Sequence, residues 1–227
     1  SNNIYVGWDS REDIAYQVCE HSIRRRTNQN SVNVSPLKQN ELREQKLYWR
    51  EQDKLSSTEF TITRFLVPHL NKFTGWAAFC DCDMVWRSDP SELFSQVDDS
   101  KAVMVVKHDY TPQEGTKMDG QLQMLYPRKN WSSMILWNCG HPKNKALDLE
   151  TVNTASPSFL HRFEWLDDED IGTLDHSWNW LVGWYDVERD GDPKIIHYTE
   201  GGPWFEETRH CEFSHIWKQE LINLYSS

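Results

Sequence analysis

Two carboxylates, Asp81 and Asp83, interrupt an otherwise apolar run over residues 76–86. In a strand, side chains alternate faces with period 2, so both carboxylates are expected on one face, with Cys80, Cys82 and Met84 turned to the core. Ionised carboxylates in such a setting are costly unless a cation or a hydrogen-bond network compensates them. Two hard oxygen ligands at the end of a core strand suit Mg²⁺ or Mn²⁺, and a divalent ion there can hold a diphosphate. Asp-x-Asp also occurs in solvated turns; the apolar flanks on both sides favour the metal reading.

Composition narrows the partners. The 227 residues carry 35 acidic and 24 basic side chains, a net charge of −11, which argues against nucleic acid or an anionic membrane as the main partner. An anionic ligand would then need a metal and a few local Arg or Lys groups. The five cysteines are odd in number and form no spaced framework, so a reducing, cytoplasmic setting is expected, with Cys80 and Cys82 as core residues rather than zinc ligands. There is no signal peptide and no apolar run of about 18 residues, so a soluble chain without a transmembrane segment is expected. Twelve tryptophans are compatible with a carbohydrate site, because indole faces stack on sugars, though most are expected to fill the core. The length suits one α/β domain over residues 1–227, and the leading Ser1-Asn2-Asn3 suggests a domain cut from a longer protein.

The elements that must position these groups follow from periodicity. Residues 4–8 read as a buried strand ending in Asp9, with Ser10 capping a helix and Asp13 at its third position. Ile14, Val18, Cys19, Ser22 and Ile23 recur at helical spacing, and Arg24, Arg25 and Arg26 fall in the last turn. Further strands are expected at 31–37, 101–107, 131–139 and 195–199, and helices at 60–70, 89–97 and 213–224. The charged stretch 38–54 reads as a surface loop or lid, and 108–128 as a polar loop. Strands alternating with helices predict an α/β/α sandwich about one mostly parallel sheet. Ligands are then expected at the carboxyl ends of its strands, where Asp9, Asp83 and Asn138 are expected to fall.

This set of pieces resembles the GT-A (Rossmann-like) glycosyltransferases, most closely family 8, over about residues 5–204. The resemblance implies a fold, a nucleotide-sugar donor and a set of roles. Asp9, ending Val6-Gly7-Trp8-Asp9, is similar to the Asp that contacts uracil. Thr63-Arg64-Phe65-Leu66 is similar to the motif whose Arg reaches the donor sugar and the first metal-motif Asp. Asp81-Cys82-Asp83 is the metal motif, with Asp83 the firm ligand and Asp81 also touching ribose. Residues 131–138 stand in place of the donor-sugar strand, making Ser132, Ser133 and Asn138 candidate donor contacts. Asp175-His176 resembles the Asp-Gln beside the reacting sugar. His197, in His197-Tyr198-Thr199-Glu200-Gly201-Gly202-Pro203-Trp204, matches the third metal ligand, and Gly201 and Gly202 offer backbone N–H groups to phosphate. That last motif is one residue shorter than the family's and lacks its lysine.

The expected reaction is transfer of a hexose from a nucleoside-diphosphate sugar, UDP-linked, to a glycan or other hydroxyl acceptor. Two carboxylates and an imidazole tilt the metal toward Mn²⁺ over Mg²⁺. Family 8 implies retention of configuration, whereas Asp170 in the acidic run 167–170, or Asp175, could instead serve as the base of an inverting reaction. A metal-dependent nucleotide-sugar hydrolase or nucleotidyltransferase, and a non-catalytic carbohydrate-binding module, are the alternatives.

Overall fold

The computed structural model of the chain describes residues 2–28, 31–51, 58–108 and 128–227. Their apolar runs pair into two sheets. The larger has strand order β2-β1-β3-β6-β5-β7, from β1 (Asn2–Gly7), β2 (Val32–Leu37), β3 (Trp76–Cys80), β5 (Val103–Val105), β6 (Met134–Asn138) and β7 (Ile171–Thr173). The smaller has order β4-β9-β8, from β4 (Met84–Trp86), β8 (Trp180–Leu181) and β9 (Ile195–His197). β1 runs parallel to β2 and β3, and β5 parallel to β7, while β6 is antiparallel to both β3 and β5. Five of the six strands of the larger sheet therefore point one way, the α/β sandwich with a mostly parallel sheet that the sequence predicts.

The central strands β3 and β6 are buried on both faces: Ala77, Ala78, Phe79 and Cys80, and Met134 to Trp137, are fully covered, as continuous rather than alternating apolar strands must be. Helix α1 (Asp13–Arg25) covers one face with Ala15, Tyr16, Cys19 and Ile23, and turns Val18 toward a second cluster with Val85, Trp180, Ile196, Tyr198 and Trp217. The last helix, Ser214–Ser226, is tied to α1 through Glu220, which accepts from His21, Arg25 and Arg26. Arg25 and Arg26 thus serve an inter-helix ion pair, while Arg24 pairs with Glu20 of its own helix. All five cysteines are free thiols, and no helix is long and apolar enough to cross a membrane among the described residues.

Several elements differ from expectation for local reasons. Ser10 does not cap α1; its N–H and hydroxyl go to Glu59, the helix starts at Asp13, and the Asp13 carboxylate takes the Trp8 indole N–H instead. The helix expected over 60–70 is a 3₁₀ turn, Thr63–Leu66, followed by one α-turn, Val67–Leu70, because the β-branched run Thr61-Ile62-Thr63 resists helix and no side chain caps its start. Part of the expected surface loop is helical, Gln39–Glu44, and the strand expected from 131 begins with a 3₁₀ turn, Trp131–Ser133. Residues 52–54 of the expected lid and 109–127 of the expected polar loop lie outside the described residues.

Candidate active site

Asp81 and Asp83 lie not within a strand but in the bend where β3, in the larger sheet, gives way to β4, in the smaller. The bend still sorts the side chains as alternation would: Cys80, Cys82 and Met84 are buried, and both carboxylates line one cleft. Backbone bonds pin it, from Asp81 N–H to Ser133 O at 3.0 Å and from Tyr198 N–H to Asp83 O at 2.9 Å. β9 pairs antiparallel with β4, setting His197 opposite Met84 and so beside Asp83. His197 Nε2 is 3.1 Å from Asp83 Oδ1 and 3.9 Å from Asp81 Oδ2, and the three residues offer ligand atoms all within 4.8 Å of one another.

These groups fit a divalent cation. Asp81 Oδ1 and Asp83 Oδ1 are buried without an aligned hydrogen-bond donor, although Arg64 Nη1 lies 3.0 Å from the first and His197 from the second. Burial pushes the Asp81 carboxyl up to about 6; the Arg64 guanidinium opposes that rise and the Asp83 charge adds to it. Burial works against charge on His197 as well, but the Asp83 and Asp81 carboxylates outweigh it and raise its pKa. Two carboxylate oxygens and one imidazole nitrogen form a mixed set suited to Mn²⁺ or Mg²⁺.

Behind His197 stands Asn179, fully buried. Its Oδ1 is 2.9 Å from His197 Nδ1, and its Nδ2 donates to Ser133 Oγ at 2.8 Å; that hydroxyl in turn donates to Asn130 O at 2.9 Å. The chain of donors places the imidazole proton on Nδ1 and leaves Nε2, facing Asp83, as the ligand atom. Sequence reasoning passed over Asn179. The signal was there: an amide between Trp178 and Trp180, both core residues, must have buried partners.

The cleft, about 1110 Å³, extends from this cluster along two walls. On one, buried Arg64 donates to the Ser132 carbonyl at 2.7 Å and the Thr61 carbonyl at 3.0 Å, with its charge beside Asp81 and its guanidinium over the Phe79 ring. Ser132 Oγ is 2.8 Å from His161 Nδ1, and both Ser132 and Ser133 line the cleft. On the other wall, Trp204 donates to Glu12, a carboxyl that burial and the Asp83 charge raise. Gly201, at φ +108, lines the cleft, but its N–H closes a turn onto Tyr198 O. A Cβ on Gly202 would fall 1.9 Å from the Trp204 ring, so this glycine admits the indole.

Other expected residues do not join the cluster. Because β6 runs backwards, Asn138 pairs with Trp76 at the opposite end of β3 from Asp81, where its amide holds the Asp99 and Lys101 carbonyls. Asp170 lies at that same far end, bonded through its carbonyl to Ala102 N–H and through its carboxylate to Lys143 at 2.6 Å. Asp175 follows β7 at the near end, but its side chain caps the 3₁₀ turn His176–Asn179 and faces solvent rather than the cleft. His176 bonds the Asp190 carbonyl and stacks on Tyr185. Asp9 is buried beneath Arg11, which lines the cleft in its place.

No protein-family model matches the chain. Protein CDI of Arabidopsis thaliana is 54% identical over 221 residues, which cover 96% of this chain and 85% of that protein. Among solved structures, the apo WbbM bifunctional glycosyltransferase superposes with a TM-score of 0.66 at 15% identity. The alignment takes in all of this chain and 51% of WbbM, so the chain spans about half the length of that relative. The galactosyltransferase LgtC, solved with donor and acceptor sugar analogues, superposes with a TM-score of 0.60 at 12% identity, over 97% of this chain and 95% of LgtC. At such identities the likeness is one of fold, and the fold is that of the GT-A glycosyltransferases.

Proposed function

The chain belongs to the family of the Arabidopsis thaliana Protein CDI, and we propose that its cleft is the active site of a metal-dependent glycosyltransferase of the family 8 type. It moves a hexose from a nucleoside diphosphate, UDP, to a hydroxyl group of a glycan or other acceptor. One observation carries this reading: the convergence of Asp81, Asp83 and His197 within 4.8 Å at the floor of a cleft, with the histidine's tautomer set by buried Asn179. A divalent ion held there supplies positive charge to the β-phosphate of the departing nucleotide, without a proton donor. Asp83 and His197 would hold the ion, and Asp81, beside the Arg64 guanidinium, would join them. Ser132, anchored through His161, offers a hydroxyl to the donor sugar.

The test is release of UDP from UDP-hexoses with Mn²⁺, with and without glycan acceptors, in the parent chain and in Asp83→Ala. Acceptor-dependent release that EDTA and Asp83→Ala both abolish is the expected result. Release indifferent to any acceptor would favour a hydrolase. Tight glycan binding with neither metal nor nucleotide would favour a binding module.

A further inference from the structure

Glu12 is a further carboxylate of the cleft, outside the cluster of Asp81, Asp83 and His197. Its backbone is fixed at the start of α1: the N–H donates to the Asp9 carbonyl at 2.9 Å, and the carbonyl accepts from the Tyr16 N–H at 3.2 Å. The half-buried side chain does not turn back to cap the helix; it lines the cleft instead. There Oε1 accepts from Trp204 Nε1 at 3.1 Å. Among the described residues the carboxylate has no other hydrogen-bond partner and no ion pair, so Oε2 keeps its acceptor capacity. Neighbouring carboxylates differ: Asp9 carries four donors, Asp81 has Arg64 beside it and Asp83 has His197. Charge reaches from Glu12 to the cluster. Burial and then the Asp83 charge raise the Glu12 pKa, and burial followed by Asp83 and Glu12 raises that of the Cys82 thiol, between the two aspartates. The fold thus holds an anion near two others with no counter-ion of its own, which is costly until a cation arrives.

We infer that Glu12 is an outer carboxylate of the cation site: its Oε2 accepts from a water on the divalent ion, and Trp204 holds it in place. The inference rests on the metal reading of the cleft. Asp81, Asp83 and His197 bring their ligand atoms within 4.8 Å of one another, and Glu12 stands outside that set, one layer further from the ion. Mn²⁺ and Mg²⁺ favour six positions, and Mg²⁺ in particular gives up its waters reluctantly. Three protein ligands therefore leave places for phosphate oxygens or water. A water whose lone pair is on the ion has only hydrogens to offer its surroundings, and an ionised carboxylate only accepts. The charge of Glu12 adds attraction for the ion itself. The indole N–H, a donor with no acceptor function, occupies Oε1 and so leaves Oε2 for the water. Gly202 permits this, since a Cβ there would fall 1.9 Å from the Trp204 ring. Two supports then act on one ion: Asn179 sets the tautomer of His197, and Glu12, on the Trp204 wall, orients a water.

The experiment is calorimetric titration of Mn²⁺, without nucleotide, into the parent, Glu12→Gln, Glu12→Asp, Glu12→Ala and Asp83→Ala, with circular dichroism to confirm folding. Glutamine matches glutamate in size and can still accept from Trp204 through its amide oxygen. It then turns an NH₂ group toward the cleft, which cannot accept from a water. Glu12→Gln is therefore expected to bind Mn²⁺ about tenfold or more weakly than the parent, the usual loss for an outer-shell partner, and Glu12→Ala no better. Glu12→Asp keeps the charge but falls one methylene short, and its affinity is expected between those of the parent and Glu12→Gln. If Glu12 serves only to anchor Trp204, Glu12→Gln should bind Mn²⁺ like the parent while Glu12→Ala weakens it; that result overturns the inference. An aspartate variant equal to the parent would show that charge alone acts and overturns the water contact. If Asp83→Ala abolishes binding while every Glu12 variant binds like the parent, the inference fails and the metal reading stands. A parent chain that binds no Mn²⁺, or an Asp83→Ala variant that binds it equally well, overturns the metal reading and this inference with it.

Discussion

Asn179 touches no ligand, yet the geometry makes it decisive for metal affinity. Asn179→Leu keeps the volume and removes both hydrogen bonds, the 2.9 Å contact to His197 Nδ1 and the 2.8 Å donation to Ser133 Oγ. A buried N–H left without an acceptor costs about 1–3 kcal/mol. The imidazole can escape that cost by moving its proton to Nε2, the atom that faces Asp83, and metal binding must then restore the less favourable tautomer. That corresponds to roughly five- to 150-fold in affinity, in line with the ten- to 100-fold typical of lost outer-shell partners. Asn179→Asp keeps the acceptor on Nδ1, so its Mn²⁺ affinity should hold or rise. Mn²⁺ titration by calorimetry, with circular dichroism to confirm folding, measures both variants. Equal losses in the two, or a leucine variant that binds like the parent, would refute the argument that Asn179 sets the tautomer of a ligand.

Asp83→Ala should abolish divalent-dependent UDP binding with little change in melting temperature, because the side chain faces the cleft; retention of binding in calorimetry would contradict the ligand assignment. Asp170→Asn should leave turnover unchanged, since Asp170 sits at the far end of the sheet on Lys143, and a large fall in kcat would restore it as a catalytic base. Glu220→Leu should cost about 2 kcal/mol and lower Tm by about 4–8 °C, by leaving His21, Arg25 and Arg26 without their shared partner. Burial holds His108 down to about 3, and burial with the Arg64 charge does the same for His161. The unfolded chain takes up these protons below about pH 6.5 while the folded one does not until about 3, so stability is complete above that window and falls as pH drops through it. Unfolding free energies from denaturant titrations should decline by about 2 kcal/mol per histidine by pH 5, and a flat profile would contradict buried neutral rings.

The architecture was legible because its core runs are long on Val, Ile, Ala and Phe and its first helix carries a clear apolar face. Direction was not. Met134-Ile135-Leu136-Trp137 is apolar on both faces and reads the same in a parallel or antiparallel slot, so nothing in its composition shows that β6 runs backwards. The handover from β3 to β4 was hidden for a related reason. Asp81-Cys82-Asp83 keeps an alternating pattern, and a bend that preserves alternation cannot be distinguished from a continuous strand by period alone. The overestimated helix at 60–70 has the opposite origin: Phe60, Arg64 and Val67 fit a helical face, but the β-branched residues between them oppose the conformation.

The same reversal of β6 divides the candidate site. The residues legible as functional differ in what was needed to locate them. Asp81 and Asp83 were recognisable from chemical type, because charged side chains in apolar surroundings require a partner wherever the strands lie, and His197 from its match to the third metal ligand of the family the chain resembles. Asn138 was placed by counting strand ends in a sheet taken to be parallel there, and one inverted strand carries it to the far side; Asp170 was singled out as a member of the acidic run 167–170, and it precedes β7, at that strand's starting end. Asp9 illustrates a third case: its strand end is correctly located, yet Arg11, two residues later, covers it and becomes the group that faces the cleft. A carboxylate next to an arginine has two readings in sequence, an acceptor for a ligand or an anchor for the arginine, and only the count of donors already on its oxygens separates them. By that count Asp9 is an anchor. Asp81 and Asp83, each with a buried oxygen lacking an aligned donor, are the carboxylates with capacity left for a cation.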